Sequence, residues 1–337
     1  MKVLVQGVGA VGARVARYLV ANDDVTDVLI GDSSPRLRTS VAASLGSRAQ
    51  AIDTADDPAG AIAAAGADVE VAVLATPAHY QPELARQLLA AGRHVVTTAD
   101  SIPAVRSLLD LDAEAKERGL ALVVGATFGP GLSCVLARHA ASLFDSVDEI
   151  HVAHHGTGGP SCARQHHAAL RGRGLDWRDL AWTRRPPGSG RELSFFPDPI
   201  GGADCYRAAL PDALLLVPAF PGVSRVTARQ AATRRDRLTA GLPMLRRPHP
   251  EGRIGGLRVE VRGRRSQLHD TVVLGAIDRP AVAAATVAGL AARWVGAGKV
   301  EPGARGLAAS VDALPFLHDL SEAGVRAAVF EGAAESM

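Results

Sequence analysis

The feature that most constrains this chain is its N-terminus, where an apolar strand leads into a glycine-rich turn and then a helix. Residues 2–6 alternate into a strand, GVGAVG follows at residues 7–12, and residues 13–21 repeat apolar side chains at helical spacing. Asp32 ends the next strand, 20 residues after the last glycine of the turn. This order of strand, turn, helix and acidic residue predicts a dinucleotide-binding βαβ unit.

Each position of the turn has a physical role in that prediction. Gly7 permits the tight turn, Gly9 lets the backbone approach a pyrophosphate, and Gly12 lets helix and strand pack closely. The residues at the helix start, Ala10 and Val11, belong to a stretch that offers N–H groups and partial positive charge to phosphates. A glycine-rich turn without a ligand remains the alternative interpretation.

The residues after the second strand bear on which nicotinamide dinucleotide is bound. Asp32 would accept hydrogen bonds from the adenosine ribose, and its charge would repel a 2′-phosphate, which favours NAD. Ser33, Ser34 and Arg36 follow directly, and they could hold that phosphate if Asp32 turned away. We therefore expect NAD or NADP, with NAD slightly preferred.

Apolar runs alternate with helical stretches through the whole first half. Runs at residues 25–30, 69–75, 94–98 and 120–124 are typical of buried parallel strands. Ligands bind at the carboxyl edge of such sheets, so Thr76, Pro77 and Thr98 are candidate cofactor contacts. For Thr76, a role as a helix cap is the alternative.

A GPG turn follows the last of these strands. Phe128, before the turn, is a candidate cofactor contact near the nicotinamide, and Gly129 and Pro130 are candidate substrate contacts. A simple interdomain turn remains the alternative.

From residue 149 the pattern changes to several strands in succession. We expect strands at residues 149–154, 214–218, 225–230, 256–261 and 270–276, and a helix beginning near residues 204–207. The predicted fold class is α/β, with an N-terminal Rossmann doubly wound parallel sheet and an α+β substrate and dimerisation domain. The predicted domains are residues 1–130, residues 131–290, and a C-terminal segment, residues 291–337, that packs back toward the Rossmann domain.

Composition excludes several function classes. The formal net charge of +2 provides no global field for nucleic acid, and no apolar run reaches the roughly 18 residues that span a bilayer. Three cysteines fit a reducing cytoplasm better than a disulfide framework. We expect small-molecule partners, no nucleic acid, no membrane association and a homodimer.

Together, five segments resemble the saccharopine dehydrogenase-like reductases, a family with saccharopine reductases, lysine 6-dehydrogenases and carboxynorspermidine dehydrogenases. The segments are GVGAVG (7–12), AGRHVVTTAD (91–100), GATFGPGLSCVLA (125–137), HHGTGGP (154–160) and SVDALPFLHDLSEAGVRA (310–327). The resemblance implies hydride transfer between a nicotinamide and the carbon of a C–N bond, in an amino-acid-like or polyamine-like molecule. The substrate would be an amine, an imine or a keto acid.

That reaction needs a proton donor and groups that hold the substrate. His154 and His155 end a strand before a glycine loop, and Tyr206 could also donate a proton, so these three are the candidate catalytic residues. Because neighbouring strand residues point to opposite sides, only one of the two histidines is expected to face the cleft. A structural hydrogen-bonding histidine is the alternative.

Three polar residues are further candidates for the substrate site. Arg164 could clamp a carboxylate, His167 could face the same site from a helix, and Asp204 could pair with an ammonium group. Each could instead be a surface, capping or packing residue. No metal is expected, although paired histidines flank Cys162, because adjacent histidines seldom bind one ion together.

Two other functions remain open. Cys134 or Cys205 could be the nucleophile of a semialdehyde dehydrogenase, although neither has an obvious adjacent base. A regulatory protein that binds NAD(P) without turnover is the second alternative.

Overall fold

The computed structural model describes residues 1–54, 57–66, 68–244, 247–266, 268–325 and 327–329. Backbone contacts divide the chain into two units, residues 1–127 with 281–311, and residues 128–280 with the chain from 312 onward. The sequence-based boundaries at residues 130 and 290 lie near the divisions at 127/128 and 280/281. The third division, at 311/312, falls inside the predicted C-terminal segment, residues 291–337.

The first unit is a parallel sheet wound with helices. Its elements are β1 (Lys2–Gln6), α1 (Gly12–Val20), β2 (Asp27–Gly31), α2 (Pro35–Leu45), β3 (Ala49–Ile52), α3 (Pro58–Ala64), β4 (Val71–Leu74), α4 (Gln81–Ala90), β5 (His94–Thr97), α5 (Ile102–Leu109), α6 (Asp112–Glu117) and β6 (Ala121–Val124), and then, after the second unit, α11 (Pro280–Gly296), β15 (Gly303–Gly306) and α12 (Leu307–Ser310). The seven strands are all parallel, in the order β15-β6-β5-β4-β1-β2-β3. This sheet confirms the predicted Rossmann-type α/β fold.

The sequence explains why the strands are central and how the first helix packs. Strands β4 and β6 are buried at every position, as their continuous apolar runs predict. Helix α1 buries Val15, Ala16 and Leu19, which share one face at helical spacing. Since parallel strands all end at one edge, the residues that follow β1, β2, β4 and β5 collect there.

The second unit contains a mixed sheet with helices packed against it. Its elements are α7 (Leu132–Ala141), β7 (Ser146–His155), α8 (Pro160–Ala169), β8 (Gly174–Arg178), β9 (Ala181–Arg185), β10 (Glu192–Phe196), β11 (Gly201–Tyr206), α9 (Asp212–Leu216), β12 (Arg225–Ala231), α10 (Arg234–Thr239), β13 (Gly255–Arg265), β14 (Leu268–Asp278), α13 (Ala313–Glu322) and β16 (Ala327–Val329). The strand order is β10-β11-β12-β7-β13-β14-β16, and the β8–β9 hairpin joins β12. Strands β7 and β12 are parallel and the other pairs are antiparallel.

Two predicted elements in this unit are wrong. Residues 214–218 were expected to form a strand, but α9 spans Asp212–Leu216, and all of its residues are buried. A short, wholly apolar run has no periodicity that separates a buried helix from a buried strand. Residues 204–207 were expected to begin a helix, but 204–206 lie in β11 because they pair with β10 and β12.

Helix α7 packs against β7, β13 and β14, and α9 packs against β12. These contacts bring the end of β7 and the start of α9 to the same face of the sheet. Among the described residues, no helix is both long and apolar enough to cross a membrane.

Candidate functional site

The glycine turn between β1 and α1 is closed on one side and open on the other. Gly7 has φ +89°, and a Cβ there would lie 2.8 Å from the amide nitrogen of Thr76. A Cβ on Gly12 would overlap the carbonyl oxygen of Gly7, whereas a Cβ on Gly9 would meet no atom within 4 Å. Gly7 and Gly12 are therefore required by the protein's own packing, and Gly9 leaves the backbone open to another molecule.

The open part of the turn exposes hydrogen-bond donors. In the described chain, the amides of Gly9, Ala10 and Val11 donate to no protein acceptor. Val11 is the N-cap of α1 without a side-chain cap, and the first turn of that helix contains no acidic residue. Unpaired amides and the positive end of a helix dipole suit an anionic diphosphate.

Asp32 is held directly beside this turn. Its Oδ2 accepts a hydrogen bond from the amide of Val8 at 2.8 Å, and its Oδ1 accepts one from the amide of Ser34 at 2.8 Å. Ser33 is exposed. The two backbone bonds fix the carboxylate at the end of β2, where a ribose beside the diphosphate would need an acceptor.

Thr76 supplies an unpaired hydroxyl next to the same turn. Its Oγ1 is buried and has no hydrogen-bond partner, while its carbonyl oxygen accepts from Nε2 of Gln81 at 2.6 Å. Pro77 is exposed and precedes a short 3-10 turn, Ala78–Tyr80. Helix α4 has Tyr80 as its N-cap, so Thr76 does not cap this helix. A buried hydroxyl without a partner is consistent with a bound ligand.

Thr98 differs from Thr76 because its hydroxyl is already engaged. Its Oγ1 donates to the carbonyl oxygen of Leu74 at 3.0 Å and lies 3.3 Å from Nε2 of Gln81. Gln81 thus links Thr76 and Thr98, and Thr98 helps to hold the edge of the sheet.

The comparison with known families fits this geometry. Residues 3–123 match the family model described as "Saccharopine dehydrogenase NADP binding domain". The matched segment lies within the first unit, which is therefore similar to the NADP-binding domain of saccharopine dehydrogenases. The family match and the open turn point to the same ligand type, a nicotinamide dinucleotide.

Solved structures show that the similarity in fold extends beyond that domain. Apo saccharopine dehydrogenase (L-Glu forming) from Saccharomyces cerevisiae has 15% identity and a TM-score of 0.72, covering 98% of this chain and 99% of that chain. Amine dehydrogenase from Mycobacterium smegmatis has 14% identity and a TM-score of 0.54, covering 93% and 96%. DAP dehydrogenase from C. glutamicum in complex with DAP has 17% identity and a TM-score of 0.50, covering 92% and 94%. At these identities the likeness shows the fold alone.

The second unit contains a buried histidine–carboxylate pair. Nε2 of His154, at the end of β7, lies 2.9 Å from Oδ1 of Asp212, at the start of α9. Ser133 donates its hydroxyl to the same carboxylate oxygen at 3.2 Å. Asp212 is fully buried and His154 is 3% exposed, so solvent hardly screens the pair. The contact with Asp212 fixes the orientation of the imidazole ring.

The GPG turn packs directly on this imidazole. A Cβ on Gly129 would lie 2.6 Å from Nδ1 of His154, so only glycine fits beside the ring. The Gly129–Pro130 peptide bond is cis, and Phe128 is buried. The ring of His154 therefore lies between the backbone of the turn and the carboxylate of Asp212.

His155 lies on the opposite face of β7 from its neighbour, as strand alternation requires. Its ring centroid is 5.6 Å from that of Phe196, and its buried Nδ1 has no hydrogen-bond partner. Burial lowers the pKa of His155 below its ordinary value, because the charged form loses hydration.

The remaining predicted site residues have other partners. Tyr206 is 1% exposed, with the guanidinium of Arg237 4.2 Å above its ring centroid. Asp204 pairs with Arg191 at 2.9 Å.

Two residues of α8 complete that set. Nε2 of His167 lies 3.0 Å from the carbonyl oxygen of Thr239, so this ring joins α8 to the end of α10. Arg164 is exposed on α8. The contacts seen for His167, Tyr206 and Asp204 are thus with residues other than His154 and Asp212.

Sequence reasoning missed Asp212 and Ser133. Asp212 stands at the start of DALLL, an otherwise apolar stretch, and a carboxylate in such surroundings requires a partner once it is buried. That signal suggests a paired acid, but it does not identify His154, which lies 58 residues earlier in the chain.

Proposed function

We propose that the protein transfers hydride at the carbon of a C–N bond, by imine reduction or amine oxidation, in an amino-acid-like or polyamine-like small molecule. The observation that carries the proposal is the glycine turn, open at Gly9 and flanked by the fixed carboxylate of Asp32. The family resemblance supports the C–N specificity, as do the names of two similar structures, an amine dehydrogenase and a DAP dehydrogenase.

The first domain's part in this reaction is to bind and orient the cofactor. NAD(P), when bound, exchanges hydride at its nicotinamide ring. The amides of Gly9, Ala10 and Val11 would bind its diphosphate, and Asp32 would accept hydrogen bonds from the ribose. We propose NAD as the preferred cofactor, since the charge of Asp32 disfavours a 2′-phosphate there.

His154 is the proposed proton-transfer group. With its Nε2 bonded to Asp212, a neutral ring that carries its proton on Nε2 leaves Nδ1 as a proton acceptor. When Nδ1 gains a proton, the buried carboxylate stabilises the imidazolium that forms. This division of roles lets one side of the ring move a proton while the other is held in place.

The reaction is tested with purified full-length protein. Calorimetry with NAD⁺ and NADP⁺ measures cofactor binding, and absorbance at 340 nm measures turnover with amino acids, polyamines, and keto acid plus amine mixtures. We expect saturable binding of at least one cofactor and turnover with one of these classes. Lack of saturable binding of either dinucleotide would refute the proposal.

The structure disfavours the cysteine-dependent alternative. Burial raises the pKa of Cys134 to about 12 and that of Cys205 to about 11, so neither thiol is ionised near neutral pH. We expect iodoacetamide to leave turnover unchanged. Inactivation that substrate prevents would restore the semialdehyde dehydrogenase hypothesis, and binding without any turnover would favour a regulatory protein.

The proposal also includes a homodimer in the reducing cytoplasm. The second-domain sheet and the few cysteines motivate these two expectations. Light scattering coupled to size-exclusion chromatography tests the dimer, and a mass of one chain would contradict it.

A further inference from the structure

A cavity lies within the second unit, between the end of α8, the loop at Gly188, and α10. Its volume is about 450 Å³. Three arginines line it, Arg171, Arg234 and Arg237, and none of its lining residues is acidic. A cavity of this size and charge suits a small anionic molecule.

These three arginines lack the acidic partners that neighbouring arginines have. In the same unit, Arg207 pairs with Asp176 at 2.8 Å and Arg191 pairs with Asp204 at 2.9 Å, while Arg229 pairs with Glu192 at 2.9 Å. Within the described part of the chain, Arg171, Arg234 and Arg237 form no ion pair with a carboxylate. The three arginines are exposed and line one cavity, so an anion there would meet positive charges that no carboxylate neutralises.

Arg237 is held in position without being neutralised. Its guanidinium lies 4.2 Å above the ring centroid of Tyr206, which is 1% exposed. A Cβ on Gly188, where φ is +59°, would come 3.2 Å from Nε of Arg237. An aromatic face orients a guanidinium but leaves its N–H donors available for an oxyanion.

The acid nearest in sequence is engaged elsewhere. Asp236 accepts hydrogen bonds from the amide of Thr233 at 2.9 Å and from its hydroxyl at 2.7 Å, as part of a capping box. Its carboxylate therefore supports α10 and does not neutralise the arginines. Leu170 and Leu238 give the cavity an apolar wall as well.

We propose that this cavity is an anion-binding site for a small molecule with a carboxylate or phosphate group beside an apolar segment. Planar guanidinium groups bind both oxyanions with paired hydrogen bonds, so the two groups share one recognition chemistry. The site involves none of the residues assigned to NAD(P) or to the His154 pair, and it is independent of the proposed reaction.

Calorimetry without cofactor tests this site. Inorganic phosphate probes for a phosphate ligand, and succinate probes for a carboxylate ligand. Wild-type protein is expected to bind at least one probe saturably. Arg234→Gln and Arg171→Gln are expected to weaken that binding at least about tenfold, because each removes charge-assisted hydrogen bonds. Arg237→Gln should do the same, with thermal unfolding as a check on the loss of its stacking on Tyr206.

Arg235→Gln is the matched control, because Arg235 is exposed on the same helix and does not line the cavity. It removes the same charge and is expected to keep wild-type affinity. Absence of saturable binding of both probes would overturn the proposal, and so would an equal loss in Arg235→Gln or full affinity in Arg234→Gln and Arg171→Gln. Since no nicotinamide is present, these results do not depend on the proposed dehydrogenase activity.

Discussion

Asp212 illustrates how one side chain can set the chemistry of another. Its carboxylate is fully buried and contacts Nε2 of His154 and the hydroxyl of Ser133. A buried carboxylate that accepts from one ring nitrogen selects the tautomer, and the other nitrogen is then available for proton transfer. In the proposed reaction, Asp212 is therefore a positioning residue that acts through His154.

Replacing Asp212 with asparagine tests that role. The amide keeps the shape but loses the charge that stabilises an imidazolium, so kcat is expected to fall about 10²–10⁴-fold, the range for general acid–base catalysis. The dissociation constant of the cofactor, measured by calorimetry, should stay within about twofold, because Asp212 has no assigned role in cofactor binding. The pH profile of kcat should also shift.

Asp148→Asn is the control, since that side chain is 39% exposed and lies at the far end of β7. It is expected to leave kcat and its pH profile unchanged. Wild-type turnover across the pH range in Asp212→Asn would exclude a positioning role.

Asp32 determines the second prediction at this scale. Asp32→Ser removes the charge that favours ribose hydroxyls over a 2′-phosphate, so NAD affinity is expected to fall about 10–100-fold, the value of hydrogen bonds to a charged group. NADP affinity should stay equal or improve. Calorimetry with both dinucleotides measures this, and Asp27→Asn, at the other end of β2, is the control. An equal loss for both cofactors would indicate that the turn itself had collapsed.

At the scale of elements, the turn between β1 and α1 contains glycines at Gly9 and Gly12 for two different physical reasons. Gly12 is needed because a Cβ there would overlap the carbonyl oxygen of Gly7, whereas a Cβ on Gly9 would meet no atom within 4 Å. The requirement at Gly12 comes from folding, and the requirement at Gly9 comes, in the proposed function, from the bound dinucleotide.

The variants Gly12→Ala and Gly9→Ala should therefore behave differently. Gly12→Ala is expected to lower the free energy of unfolding by about 1–3 kcal/mol, the usual cost of overpacking. Gly9→Ala should change it by no more than about 0.5 kcal/mol, but it should weaken dinucleotide binding because its methyl group occupies the approach of the pyrophosphate. Denaturant titration and calorimetry measure the two effects. If Gly9→Ala binds NAD(P) as well as wild type, the diphosphate does not approach at that position.

At the scale of the whole molecule, partly buried histidines are expected to couple the free energy of unfolding to pH. Burial lowers the pKa of His94 in the first unit, and of His151 and His155 in the second. His94 also accepts a hydrogen bond at Nδ1 from the amide of Ala121 at 3.0 Å, which protonation would break. In the unfolded chain each histidine regains an ordinary pKa of about 6.5.

Because the unfolded state binds more protons, stability is fully present above about pH 6.5 and declines as the pH falls toward the lowered pKa values of the folded state. We expect urea midpoints to be constant between about pH 7 and 8 and lower near pH 5.5. His94→Gln should reduce this dependence, whereas His79→Gln, at an exposed position, should not. An identical pH dependence in His94→Gln and wild type would exclude His94 as a contributor.

The sequence could predict the first domain well because its signals are local. The GxGxxG spacing, the apolar runs of β4 and β6, and the position of Asp32 lie within short segments, and each has a physical reason of its own. The second domain was harder, because α9 and β11 depend on pairing and burial that a short apolar or glycine-flanked segment does not encode.

Local order along the chain thus determined the parallel sheet, the turn and the carboxylate beside it, since neighbouring residues make those contacts. Only the tertiary structure decided that His154 meets Asp212 and Ser133, or that three arginines surround one cavity. Such partners come from distant segments, and their proximity depends on which faces of the sheet the helices cover.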